Sequence, residues 1–422
     1  MTTSLQWIAA GLFGVAVAHA LSTKFIARLG ARHGAHAGLW HWMAEVEVVF
    51  GLWAMVLVLC MAALQGSVAA IEYLESCQFT EPMFVFVIMV MAATRPVLQL
   101  AEQSVRWLAR WIPASRPVST YFTLLTVLPL LGSFITEPAA MTLAALMLRD
   151  GVMKHRISER LKYGTLGVLL VNVSIGGTLT PFAAPPVLMV AKVWQWDMSF
   201  MLTTFGFKAA LAVAVNALAA TLLFRRELTG LEDVAGAPAA QSPQTTVPMG
   251  VTLIHLVFLA LVVVFAHHPV VFMGLFLFFM GYTVAYARHQ SPLILREALL
   301  VAFFLAGLVV LGRLQAWWLQ PLLENMSSTT VFVGATLLTA VTDNAALTYL
   351  GSLMQSPSLD FKVALVAGAV AGGGLTLIAN APNPAGAAIL KDCFDDGVIS
   401  PLSLLLAALA PTLVAILAFR LV

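Results

Sequence analysis

The chain has 422 residues, 60% hydrophobic and 10% charged, with a formal net charge of +2. Together with a mean hydropathy of +0.93, this excludes an ordinary soluble domain and points to a polytopic membrane protein whose first partner is the lipid bilayer. Its 22 Lys and Arg residues are scattered among apolar runs, which excludes nucleic acid as a partner. Cys60, Cys77 and Cys393 lack the spacing of a disulfide framework or a zinc site and read as packing residues.

The opening MTTSLQWIAAGLF has no basic residue before its apolar run, so it reads as a first span rather than a removable signal. About 20 mainly apolar residues are needed to cross the hydrocarbon core. That criterion predicts spans at 5–20, 43–64, 83–100, 163–190 and 199–224, and again at 249–266, 270–287, 299–312, 362–390 and 402–419. Between the third and fourth span of each set lies an extra apolar segment, 120–148 and 329–354, broken in its middle. Each reads as a re-entrant hairpin, at 117–148 and 326–356. The polar run AGAPAAQSPQTTVP makes 225–248 a cytoplasmic linker between halves.

The breaks are ITEPAAMTLAALML, starting at Ile135, and VTDNAALTYLGSLM, starting at Val341. Thr-Glu-Pro and Thr-Asp-Asn supply helix-start chemistry at the point where a second arm begins. Aligning Thr136 with Thr342 pairs Glu137 with Asp343, Pro138 with Asn344 and Thr142 with Thr348. Downstream, GGTLTPFAAPP at Gly176 matches GGGLTLIANAPNP at Gly372. Gly176, Gly177 and Pro181, and Gly373, Gly374 and Pro382, are thus predicted to interrupt the predicted spans 163–190 and 362–390.

The fold class that follows is an all-α polytopic membrane protein with two repeats, 1–224 and 249–422, each of five transmembrane helices plus one re-entrant hairpin. With the N- and C-termini outside, most Lys and Arg fall in cytoplasmic loops, leaving Lys192, Lys208, Arg313, Lys362 and Arg420 outside. An odd number of crossings per half makes the repeats inverted.

Inverted repeats with broken helices are the arrangement in which transporters hold substrate at the midplane. Carboxylates inside a membrane are costly and default to a functional reading. Glu137 and Asp343 have no basic neighbour in sequence, and their surroundings are oxygens: Thr136, Thr342, Asn344, Thr180, Thr376, Asn380 and Asn383. Hard monovalent cations favour such ligands, which gives two Na+ half-sites, at Glu137 and Asp343. Burial disfavours a bare carboxylate, so proton and cation would compete for the same oxygens. The competing reading of each acid is an ordinary helix cap, and the NAPNP stretch could simply stabilise a kink. Asn172 is a weaker candidate. His41 and Glu45, four apart, have metal-compatible spacing but lack a third ligand, while Glu47 and His19 fit either a proton path or an interfacial role. His267, His268 and Pro269 read as a tight external turn.

On TEPAA, TDNAA and the two glycine-broken spans, the chain resembles the ion transporter superfamily and, within it, a bacterial family of sodium/proton antiporters. The resemblance runs through the span order of nearly the whole chain. It implies a bacterial inner-membrane protein, a dimerising scaffold, a moving transport region, and elevator-like exchange of Na+ or Li+ for H+ without a cofactor. The dicarboxylate branch carries Ser-Asn-Thr at its hairpin tips, whereas the acids here would repel an anion. Two alternatives remain. One is a permease, Na+-coupled or uncoupled, for an organic acid, oxyanion or arsenite-like solute. The other is a membrane-embedded enzyme, against which the duplicated motifs count.

Overall fold

The structure, a computed structural model, describes residues 3–30, 37–231 and 246–421. Among these residues there are helices and turns and no strand. The chain begins with α1 (Thr3–Gly30) and α2 (Val46–Gln65). Ser67–Ser76 and α3 (Thr80–Ala92) follow as an apolar pair bent by 59°. The amphipathic α4 (Arg95–Ala109) comes next, then α5 (Arg116–Ile135), α6 (Glu137–Leu148), α7 (Glu159–Gly176), α8 (Pro185–Ala191) and α9 (Phe207–Leu223). The second half runs through α10 (Met249–Val264), α11 (Pro269–Ala285) and α12 (Leu295–Gly312), then the short helix Ala316–Leu323. It ends with α13 (Ser328–Thr339), α14 (Asn344–Ser352), α15 (Leu359–Gly372), α16 (Asn383–Leu390) and α17 (Pro401–Leu421).

Six helical segments among the described residues are long and apolar enough to cross a membrane, seven if the bent pair counts as one. The chain is therefore a multi-pass membrane protein. Fewer segments qualify than the ten predicted spans because the spans at 163–190 and 362–390 are each split in two, and α10 and α11 are 16 and 17 residues long. The hairpin segments also differ from one another, since α5 alone has the length of a full span while α6 has 12 residues.

Two boundaries need correction. The predicted span 83–100 ends at Ala92: Thr94 is extended, and a new helix starts at Arg95 with Pro96 in its first turn. Pro96 lacks the N–H that a continuous helix would require at that position but is accommodated in the first turn of a new one. The predicted linker 225–248 opens with a helical turn, Arg225–Thr229. There Glu227 accepts hydrogen bonds from the backbone N–H and the hydroxyl of Ser158, at 3.1 and 3.0 Å. Most of the rest of that segment lies outside the described residues.

Local chemistry starts the helices. Ser158, Ser327 and Ser358 cap α7, α13 and α15 through hydroxyls that accept first-turn N–H groups. Proline occupies the first turn of α4, α5, α6, α8, α11 and α16.

The helices form two packed groups. In one, α12 lies across α2 and α3, with α1 on α2 and α10 on α11. Gly51 and Gly307 meet where α2 and α12 cross, and a Cβ on Gly307 would lie 2.6 Å from Gly51 Cα. In the other group, α5 packs on α6 and α7, α13 on α15, and α17 on α7 and α9. The last helix of each motif crosses to the opposite half: α14 packs on α8, and α16 packs on α6. This exchange brings both chain breaks to one place.

Candidate functional site

The first tip is a true reversal of the chain. Thr136 has φ 74°, a region that non-glycine residues seldom occupy, and the fold returns so sharply that a Cβ on Gly132 would lie 3.3 Å from Ala140 Cβ. Glu137 opens α6 and is fully buried. Its Oε2 accepts 2.8 Å from Nδ2 of Asn380, which sits in the break between α15 and α16. No partner meets Oε1, nor the buried Oγ1 of Thr136.

The second tip uses its acid differently. Asp343 is the N-cap of α14, its Oδ1 accepting the N–H groups of Ala345 and Ala346 at 2.8 and 3.3 Å. The side chain is half-buried and lines a cavity, while also meeting the backbone of Ala381 in the second break and lying close enough to Glu137 for the two acids to repel each other. The first position of α14 is Asn344, fully buried, with neither its amide nitrogen nor its oxygen paired. Its backbone N–H donates to Ala379 O at 3.1 Å, which ties the tip to the second break.

The two breaks lock the rest. Thr180 donates to Ser133 O at 2.6 Å and Thr376 to Ala340 O at 2.8 Å, so each break is stapled to the end of its own hairpin's first arm. Asn383 Nδ2 donates to Gly373 O and Thr376 O at 2.7 and 2.9 Å, satisfying carbonyls that the interrupted helix leaves free. The side-chain oxygens of Asn380 and Asn383 are buried without partners. Pro181 and Pro382 lie within the breaks, Pro382 directly before α16.

The glycines are needed for space rather than for unusual dihedrals, since Gly177 and Gly373 have φ of −72° and −63°. A Cβ on Gly177 would fall inside van der Waals contact of Glu137 Oε1 and 2.7 Å from its Cγ. One on Gly373 would strike Ser174 Oγ and lie 2.9 Å from Asn344 Nδ2. Gly176 and Gly374 abut backbone in the same way, at Pro129 and Val171.

Glu137, Asn344, Asn380, Asn383 and Thr136 thus gather at one crossing of four chain segments. Thr180 and Thr376 serve as staples, Asp343 caps a helix beside the crossing, and the Thr342 hydroxyl is used by Leu338 O of its own helix at 2.9 Å. Sequence reasoning missed Ser133 and Thr339. Ser133 Oγ donates to Gly176 O and accepts from Leu179 N at 2.7 and 2.9 Å, and Thr339 is buried with its hydroxyl unpaired. The alignment that pairs Thr136 with Thr342 also pairs these two hydroxyls, and that was the available signal. Asn172 belongs to a structural network. It donates to Leu125 O and Val213 O and accepts from Asn216, which also donates to Pro411 O.

The remaining polar candidates lie elsewhere. His19 is held between Met43 O and the Trp53 indole N–H at 2.9 and 3.1 Å. Glu45 pairs with Arg296 at 2.6 Å, Glu47 lies half-buried in the first turn of α2, and the side chain of His41 lies outside the described residues. Among the described residues no three His, Cys, Asp or Glu side chains group as metal ligands. His268 and Pro269 do form a tight turn between α10 and α11.

The site therefore offers one sealed carboxylate, three amide oxygens and two hydroxyls without partners, a donor set suited to a small hard cation and to a proton. A family model described as "Putative Na+/H+ antiporter" matches residues 4–422. No curated protein matches the chain.

Proposed function

The chain belongs to the family so described, and from that premise we propose that it is a secondary antiporter exchanging Na+ or Li+ for H+, with Glu137 as the shared binding group. One observation carries this reading: a fully buried carboxylate with no basic partner among the described residues, one oxygen unpaired, among the unpaired oxygens of Asn344, Asn380 and Asn383. An isolated buried charge costs several kcal/mol, so the carboxyl is stable there only with a proton or a cation. Binding of one then requires release of the other. Asn380 orients the group through Oε2 and leaves Oε1 for the transported ion. Asp343, beside the crossing, is a second acid that can take part in loading.

The repeated order of hairpin, broken helix and closing helix supports reading the halves as inverted repeats. The 12-residue α6 and 9-residue α14 would span about 18 and 14 Å at 1.5 Å per residue. That falls short of a bilayer's ~30 Å core and supports re-entrant tips. In this scheme α1–α3 and α10–α12 form the scaffold of a homodimer in a bacterial inner membrane with both termini outside, and α5–α9 with α13–α17 move as an elevator.

The test is Na+-induced pH change in proteoliposomes holding the native protein or Glu137→Gln. Proton release that depends on Na+ or Li+ and vanishes in Glu137→Gln is the expected result. A folded native protein showing no cation-coupled proton movement at any pH would overturn the reading in favour of the solute permease.

A further inference from the structure

Beside the crossing lies a cavity of about 360 Å³ walled by α1, α2, α12, Ala316–Leu323, α13 and α14, with Leu365 of α15 and Ile378 of the second break. Phe13, Phe50 and Phe304 form one side as a chain of edge-on rings with centroids 5.9 and 5.3 Å apart. Nearly all the rest of the lining is aliphatic, the exceptions being Trp318, Thr330, Thr342 and Asp343. Asp343 is thus the one charged lining residue, no basic side chain lines the cavity among the described residues, and none pairs with Asp343.

We propose that this cavity binds a hydrophobic organic monocation, an aryl-alkyl ammonium, with its ring among the phenylalanines and its charge at Asp343. Its volume lies in the range of small-molecule sites. A lipid tail would fill the apolar part but leave a carboxylate facing hydrocarbon, which is costly. A hydrated metal ion would answer the carboxylate but wet an aromatic wall. An aryl ammonium satisfies both surfaces at once, its ring packing against the phenylalanines and its charge meeting the carboxylate.

Gly334 provides a test of shape apart from charge, because it lines the cavity and a Cβ there meets nothing within 4 Å. Gly334→Leu fills the space with Asp343 intact, and Asp343→Asn removes the charge with the space intact. Titration calorimetry of the detergent-solubilised full chain, checked for folding by its melting profile, would use naphthylethylammonium and its uncharged alcohol analogue. The expected result is one saturable ammonium site per chain, at least about tenfold weaker for the alcohol and in each variant. Equal binding of the alcohol, undiminished binding in Gly334→Leu, or no saturable site in the native protein would each overturn the proposal.

Discussion

Gly177→Ala is a one-methyl test of how tightly the site is built. The added Cβ would lie 2.7 Å from Glu137 Cγ and 2.9 Å from its Cδ, whereas carbon atoms settle at about 3.5–4.0 Å. The carboxylate must withdraw by roughly 0.7–1 Å, which stretches its 2.8 Å bond from Asn380 past the ~3.2 Å limit of a good hydrogen bond. Losing a hydrogen bond to a charged group costs about 1.5–3 kcal/mol, so apparent Na+ affinity should fall about 10- to 150-fold. Folding should survive, because the obstacle is a side chain. At Gly374 the same change meets the backbone of Val171. The assay is the Na+ dependence of proton flux in proteoliposomes, with thermal unfolding as the control. Shortening the acid by one carbon in Gly177→Ala/Glu137→Asp should recover part of the loss, an interaction a double-mutant cycle isolates. Native Na+ affinity in Gly177→Ala would refute the argument that the glycine exists to admit this carboxylate.

Two further outcomes concern stability. Asn216→Leu leaves Asn172 Oδ1 and Pro411 O without their buried donor and should destabilise the protein by about 2–6 kcal/mol, summing the two groups, read as a drop in the detergent melting midpoint. At the membrane surface, the hydrogen bond from Arg149, then Lys154, holds the Asp150 carboxyl below the usual carboxylate range. Its contribution is therefore present above about pH 4 and is lost as pH falls through the lowered folded value. The melting points of native protein and Asp150→Asn should differ slightly at pH 7, by under about 1 kcal/mol for so exposed a pair, and converge near pH 2.5. A gap that persists in acid would remove the ion pair as its cause.

Much of this architecture was legible because a bilayer imposes simple rules. Length and apolarity located five of the six helices long enough to cross a membrane among the described residues, the sixth, α5, having been read as part of a hairpin, and Thr-Glu-Pro, Thr-Asp-Asn and the glycine runs located both breaks. What pattern could not carry was rotational detail. Glu137 and Asp343 align in sequence, yet one is the first residue of its helix and bonds Asn380 across the crossing, while the other is the cap one position earlier and spends Oδ1 on its own helix. A one-residue offset in where the helix starts decides that, and no composition rule fixes a start so finely. The misplaced span at 83–100 has a related cause: its hydropathy continues past Ala92, and only Pro96 betrays the corner. Ser133, Thr339 and Asn216 escaped notice because a single polar residue in an apolar helix reads the same whether it bonds its own turn or its neighbour's.

The crossing of the two broken helices also sets where the molecule can yield. Gly373 and Gly374 press against Ser174 and the backbone of Val171 with no side chain of their own between them, so α7 and the second break touch at the thickness of bare main chain. Sliding the break by the one residue that brings Leu375 to the place of Gly374 would drive a Cβ into that seam. The boundary at the 360 Å³ cavity is made instead of long rotatable side chains around open space. In the exchange proposed above, displacement of the carboxylate relative to the rest of the protein would fall at that greasy boundary, leaving the oxygens around Glu137 at their mutual distances.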